Sequence, residues 1–245
     1  MNIIKLNVSL FVIVMLYNGH LLGAQVILDR NQLKEWYANY DTATSFGLNQ
    51  RSISSMTADV FQGLNQMEIL FLSSNELELL DPNQFIDLTS LRWLFLLKNR
   101  LKTVDANLFK SLVKLERLNI AYNQLTTLPA GLFSNLVSLE ELIIDFNQLT
   151  SFDSSIFSRL TALESLSFVG NRFASLNDAN LFKDLNNLNN INMISNKILS
   201  MDKNLFVGLL NLEYVYLYSN PISSLQASFV QQLCATNPKC NIYYL

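Results

Sequence analysis

Five carboxylates crowd the middle of the chain: Glu116, Glu140, Glu141, Asp145 and Glu164, with Arg92 and Arg117 nearby. Paired carboxylates can act as acid and base in glycoside hydrolysis, or hold calcium. The first use needs two carboxyls at a set separation, one of them in surroundings that keep it protonated. Nothing in the flanking sequence buries either member of a pair, so the group reads as a solvated acidic face that steers a basic partner. Other chemistry has less to draw on. The only histidine is His20, so nothing after residue 24 can supply a His-based triad or a His-metal site. Cys234 and Cys240 flank the turn-forming stretch "ATNPK" and most simply close on each other in an oxidising compartment. The glycines are too scattered to form a phosphate-cradling loop. The expectation is a protein without enzymatic activity, metal or cofactor.

The residues that must position this face repeat on a fixed step. Asn75, Asn99, Asn123, Asn147, Asn171, Asn196 and Asn220 follow one another at intervals of 24 residues, once 25. Each sits in the same frame, as in "LFLSSNEL" and "LNIAYNQL", and a constant period of this size marks a solenoid of stacked coils. Eight coils start near Ala43, Met67, Leu91, Leu115, Leu139, Leu163, Leu188 and Leu212. In the fourth, Leu115, Leu118, Ile120, Asn123, Leu125, Leu128, Phe133 and Leu136 take positions 1, 4, 6, 9, 11, 14, 19 and 22. Alternation around positions 4 and 6 predicts a short strand with those two side chains inward, and stacking aligns the strands into one parallel sheet. At position 9 a buried Asn amide can donate to and accept from backbone groups left unpaired by the turn. A column of phenylalanines, Phe61 through Phe206, fills the space behind the returning segment.

The ends read differently. Residues 1–24 carry one lysine, no acid, an apolar run from Leu10 to Leu16 and small residues at Gly23 and Ala24. That is the layout of a signal peptide cleaved after Ala24. The apolar run falls short of the roughly 20 residues that a membrane span requires, and later leucine runs are broken by charges or asparagine. Cleavage removes Lys5 and leaves 16 basic against 20 acidic residues, which offers no electrostatic footprint for nucleic acid. Residues 25–42 form a capping segment without cysteine, in which Trp36, Tyr37 and Val26 or Ile27 are expected to cover the open core end. Residues 43–233 form the array, and residues 234–245 a short terminal cap with the Cys234–Cys240 bridge. The first coil has Arg51 where the asparagine belongs and Gly47 on its strand. Asn7-Val8-Ser9 is the only N-glycosylation acceptor, and it lies inside the signal segment.

The repeated frame, from Ala43 to Leu233, resembles the 24-residue "typical" leucine-rich repeat of Toll-like receptor ectodomains, small matrix proteoglycans and Slit-like proteins. The resemblance implies an α/β fold: a right-handed solenoid with a parallel sheet on the concave face and short irregular or helical returns on the convex face. It also implies a secreted, extracellular module that binds a partner, usually a protein, on the concave face. The missing cysteines before the first coil depart from that family pattern.

With positions 4 and 6 inward, positions 3, 5 and 7 face outward on the concave sheet. Coils two and three then present Ile69, Phe71, Trp93, Phe95 and Leu97, with Tyr122 and Phe146 at position 8 extending the patch along one edge. Coil five presents Glu141 and Asp145, and coil eight Tyr214, Tyr216 and Tyr218. Folding does not require large apolar groups on a solvent face, and contiguous patches of them mark interaction sites. The leading expectation is capture of an extracellular protein, with the aromatic patch as anchor and the acidic group setting register. Recognition of a microbial glycan or lipid, and self-association as in a matrix or receptor-like dimer, remain alternatives.

Overall fold

The computed structural model describes residues 16–17, 20–21, 25–222, 232–235 and 237–244. The proposed signal segment and the eighth return therefore lie largely outside the described residues. Nine three-residue strands line up in one parallel sheet, strictly in chain order. They are Ser45–Gly47, Ile69–Phe71, Trp93–Phe95, Arg117–Asn119, Glu141–Ile143, Ser165–Ser167, Asn190–Asn192, Tyr214–Tyr216 and Asn241–Tyr243. The first eight occupy positions 3–5 of the eight coils. The ninth comes from the terminal segment, which supplies a rung that the repeat frame does not mark, with Tyr216 paired to Tyr243. Register holds position for position, so that Ile69, Trp93, Arg117 and Glu141 form one row and Phe71, Phe95, Asn119 and Ile143 the next.

The interior follows the frame. Leucines at positions 1, 4 and 11 are shut away from solvent in coil after coil. Phe61, Phe85, Phe109 and Phe133 stack with centroids 6.2–6.4 Å apart, and Phe157, Phe182 and Phe206 continue at 5.9–6.2 Å. Around coils five and six, Phe152 adds edge contacts to Phe157 and Phe168 at 4.9 and 5.3 Å. In coils one to seven the returns are turns with a few extended stretches, not helices. Repeated Asx turns help to shape them, as where Asp105, Asp153 and Asp202 each accept from the backbone N–H two residues on.

Asparagine at position 9 ties each coil to its predecessor. Asn123 Nδ2 donates to the Ile120 carbonyl of its own coil at 3.0 Å, and to that of Leu96 in the coil before at 3.1 Å. Its Oδ1 accepts from Leu101 N at 3.0 Å. Asn99, Asn147, Asn171, Asn196 and Asn220 repeat the scheme. Coil one tolerates Arg51 because Asn75 Oδ1 reaches back to the backbone N–H of both Arg51 and Ile53. The arginine side chain is thereby free to lie over the Trp36 ring, 4.3 Å from its centroid.

The N-terminal core end is closed without cysteine. Val26–Leu28 pairs in parallel with Ile53–Met56, and the helix Arg30–Trp36 starts at Asp29, whose carboxylate accepts from Gln32 N at 2.8 Å. Leu28, Leu33 and Tyr40 are the buried covers. Trp36, Tyr37 and Val26 are half-buried against the core, whereas Ile27 is 55% exposed and points away from it. At the other end Cys234 and Cys240 are joined, with Cα atoms 5.7 Å apart. Among the described residues, no helix is long and apolar enough to cross a membrane.

Replacing Asn123 by alanine strands the buried Leu101 N–H, a group worth about 1–3 kcal/mol when left unpaired. The Ile120 and Leu96 carbonyls each keep one donor, the amides of Asn147 and Asn99. Urea unfolding of Asn123→Ala should show a loss of about 1–3 kcal/mol. Asn123→Asp should fare no better, because it would bury a carboxylate and set an anionic oxygen against the Ile120 and Leu96 carbonyls. A stability change under about 1 kcal/mol in Asn123→Ala would contradict this account.

Candidate ligand-binding face

The sheet strands end at a column of residues with left-handed backbone. Position 8 is occupied by Gln50, Ser74, Lys98, Tyr122, Phe146, Gly170, Ser195 and Ser219, all with φ between 50° and 66°. The chain needs this conformation to turn out of the strand and deliver the following asparagine. Most coils fill the slot with a small or flexible residue, but Tyr122 and Phe146 hold bulky rings there, where left-handed φ is strained. The rings stack on each other at 4.4 Å, remain 46% and 42% exposed, and Lys98 Nζ lies 5.6 Å from the Tyr122 centroid. Phe146 leans over Gly170, where a Cβ would come within 2.5 Å of the ring. Three consecutive coils thus build a ridge along the trailing edge of the sheet.

Beside that ridge the structure gathers the apolar patch expected from the sequence. Ile69, Phe71, Trp93, Phe95 and Leu97 are half-buried, because they cover one another. Phe71 and Phe95 stack at 5.1 Å with planes 11° apart. The Arg117 guanidinium lies 5.1 Å from the Trp93 centroid, and its Nε is 3.9 Å from Glu141 Oε2. One row of the sheet therefore runs from apolar to cationic to anionic within three strands. Trp93 Nε1 is closed off from water and donates to nothing among the described residues, which leaves a donor unused by the fold.

Apart from Glu141 in that row, the acidic group divides into two. Glu116, Glu140 and Glu164 lie one residue before their strands, along the leading edge, where Arg92 Nε meets Glu116 at 2.8 Å. Glu140 and Glu164 are exposed at that same edge. Asp145, at position 7, belongs to the opposite edge and is not solvated as the sequence led one to expect. Its Oδ1 accepts from Ser167 Oγ at 2.6 Å and from Val169 N at 2.8 Å. Burial pushes its carboxyl above the usual range, and the two hydrogen bonds offset this only in part. Together with Glu68 and Glu213, the sheet face and its edges carry seven carboxylates against Arg92, Lys98 and Arg117. Set against 20 acidic and 17 basic residues in all, the rest of the chain is nearly balanced, at 13 to 14.

The three tyrosines of coil eight form a separate cluster, distant in register from the first patch. Tyr214 is 37% exposed and stands parallel to Tyr216 at 6.3 Å. Tyr243, on the ninth strand, stacks on Tyr216 at 5.1 Å and approaches Tyr218 at 6.4 Å. The repeat frame does not mark Tyr243; the aromatic pair in "NIYYL", inside the terminal cap, is the signal that could have found it.

A leucine-rich-repeat family model matches residues 42–101 and 94–149. With this match, the asparagine ladder and the sheet of one strand per coil, the chain is a leucine-rich-repeat protein. Its fold resembles that of Toll in the Drosophila Toll–Spatzle complex, with TM-score 0.67 and 22% identity over 82% of this chain and 31% of that one. It also resembles TLR13 in the TLR13–ssRNA13 complex, with TM-score 0.62 and 23% identity over 89% of this chain and 34% of that one. The chain thus spans about a third of each of those proteins. No curated protein matches it by sequence.

The raised carboxyl of Asp145 gives a pH test. Ionisation of this group opposes folding, so its contribution is most favourable below the ordinary value of 3.8 and is lost as pH rises through the higher folded-state value. Asn in its place keeps the accepting Oδ1 without the charge. Asp145→Asn should therefore unfold at higher urea than the parent at neutral pH, with the gap closing as the pH falls below 3.8. A gap independent of pH would contradict the assignment.

Proposed function

We propose that the protein is an extracellular binding module that captures a protein partner on the concave sheet face. The observation that carries this reading is the contiguous set Ile69, Phe71, Trp93, Phe95 and Leu97, apolar side chains on the outward side of strands whose core contacts are already complete. Such a set supplies a dry anchor of the kind that dominates protein association, and aromatic residues are its usual hot spots. Arg117, Glu141, Glu140 and Glu164 lie beside it and orient a partner that carries a complementary basic surface. Toll was solved with the protein Spatzle and TLR13 with RNA. The excess of carboxylates on this face favours the first kind of partner, since phosphate binding depends on lysine and arginine. Secretion through cleavage after Ala24 belongs to the same reading, which rests there on sequence pattern.

The test is capture from extracellular fluid of the source organism, using residues 25–245 and a Trp93→Glu, Phe95→Glu version shown to be folded by circular dichroism. The parent should retain a protein that the variant loses, with a drop in affinity of about tenfold or more, and high salt should slow its association. Equal retention by both would refute capture at this patch. Sedimentation of the parent alone distinguishes a partner from a second copy of the chain.

A further inference from the structure

Along the solenoid axis the outward face changes chemistry. Coils two and three are mainly apolar, with Lys98 as their one charge at positions 3, 5, 7 and 8, and coils four and five carry Arg117, Glu141 and Asp145. From coil six onward, positions 3, 5, 7 and 8 hold no charged residue. The two strand rows there consist of Ser165, Asn190 and Tyr214, then Ser167, Asn192 and Tyr216, and the ninth strand adds Asn241 and Tyr243. Much of this polar capacity is unused by the fold. Among the described residues, the hydroxyls of Ser165, Tyr214, Tyr216 and Tyr243 make no hydrogen bond, and neither does the Asn192 Nδ2 amide, although Asn192 Oδ1 accepts from Ile194 N. Asn190 Oδ1 is shut off from water without any donor, a state that costs free energy until a donor is found.

We propose that this terminal half of the face is a second binding site, distinct from the aromatic patch, and that its ligand is a neutral oligosaccharide. The match is chemical. A neutral saccharide is dense in hydroxyl groups that both donate and accept, which suits a field of amides and phenols. It carries no charge that would need a counterpart, and none is present at these positions. Its apolar C–H faces need a rigid ring to lie against. Tyr214, 37% exposed and in ring contact with Tyr216 on one side, offers one. Rotation of the Asn190 amide toward a ligand hydroxyl would give its stranded oxygen a donor. A protein ligand would also find tyrosine, serine and asparagine adaptable contacts, but would leave unexplained why no charged side chain stands among them.

The experiment is calorimetric titration of residues 25–245 with three named probes: cellohexaose, chitohexaose and mannohexaose. At least one should bind, with affinity unchanged by about 0.5 M salt because no ion pair contributes. Tyr214→Ala and Asn192→Ala, both outward-facing substitutions that leave the core intact, should each weaken binding about fivefold or more. Trp93→Glu, Phe95→Glu should leave it unchanged, which separates this site from the protein-capturing patch. Tyr214→Phe should retain binding better than Tyr214→Ala if the ring face carries the contact. Failure of all three probes to bind would overturn the proposal, as would binding that Tyr214→Ala spares. Retention of a protein from extracellular fluid that depends on Tyr214, with no probe bound, would replace the saccharide by a protein.

Discussion

Everything in this molecule depends on how a chain can turn sharply inside its own core without stranding polar backbone. At the end of each strand the peptide groups must leave the sheet ladder while still buried. One asparagine amide solves the problem in coil after coil because it donates and accepts at once, bridging its own strand end and the coil before. No aliphatic residue can do this, and a carboxylate can do only half. The left-handed residue just before it is part of the same solution, since that twist aims the amide inward. A coil is therefore never satisfied alone, and stability is shared between neighbours as expected for a one-dimensional array.

This shared constraint explains what could be read from the sequence. Asparagine, leucine and phenylalanine recur because each has one geometric task per coil, and a fixed task leaves a period. Strand positions, inward and outward faces, the asparagine ladder and the phenylalanine stack follow from it. Features that occur once leave no period. The ninth strand lacks the frame, since Asn241–Tyr243 is the last rung of the sheet and has no asparagine serving a following strand. The N-terminal cover was legible as a group but not residue by residue: strand alternation turns Ile27 out and Leu28 in, once Val26–Leu28 pairs with Ile53–Met56. Asp145 reads as a solvated acid in the sequence because its partners, Ser167 Oγ and Val169 N, lie a whole coil away.

The candidate face shows the same division. Which side chains point outward was settled by alternation, and the apolar set of coils two and three falls together as the register requires. What alternation cannot give is how neighbours rearrange once assembled. The patch is half-covered by its own rings and by Arg117, and the carboxylates separate onto opposite edges instead of forming one cluster. The ridge of Tyr122 and Phe146 depends on three coils at once, including a glycine whose missing Cβ makes room for a ring. Recognition surfaces of this kind are written between repeats, whereas the fold is written within each.

At the first strand, the Tyr37 hydroxyl accepts from Gly47 N at 3.1 Å and donates to Gly47 O at 2.8 Å. A single phenol thus occupies the donor and the acceptor that another strand would otherwise claim. Parallel sheets built from identical rungs invite head-to-tail growth, one protomer continuing where the last stops, and open edges of this kind template fibres. Here the leading rung already has its mimic in place. Growth onto Gly47 would have to displace an aromatic ring packed 4.5 Å from Phe46.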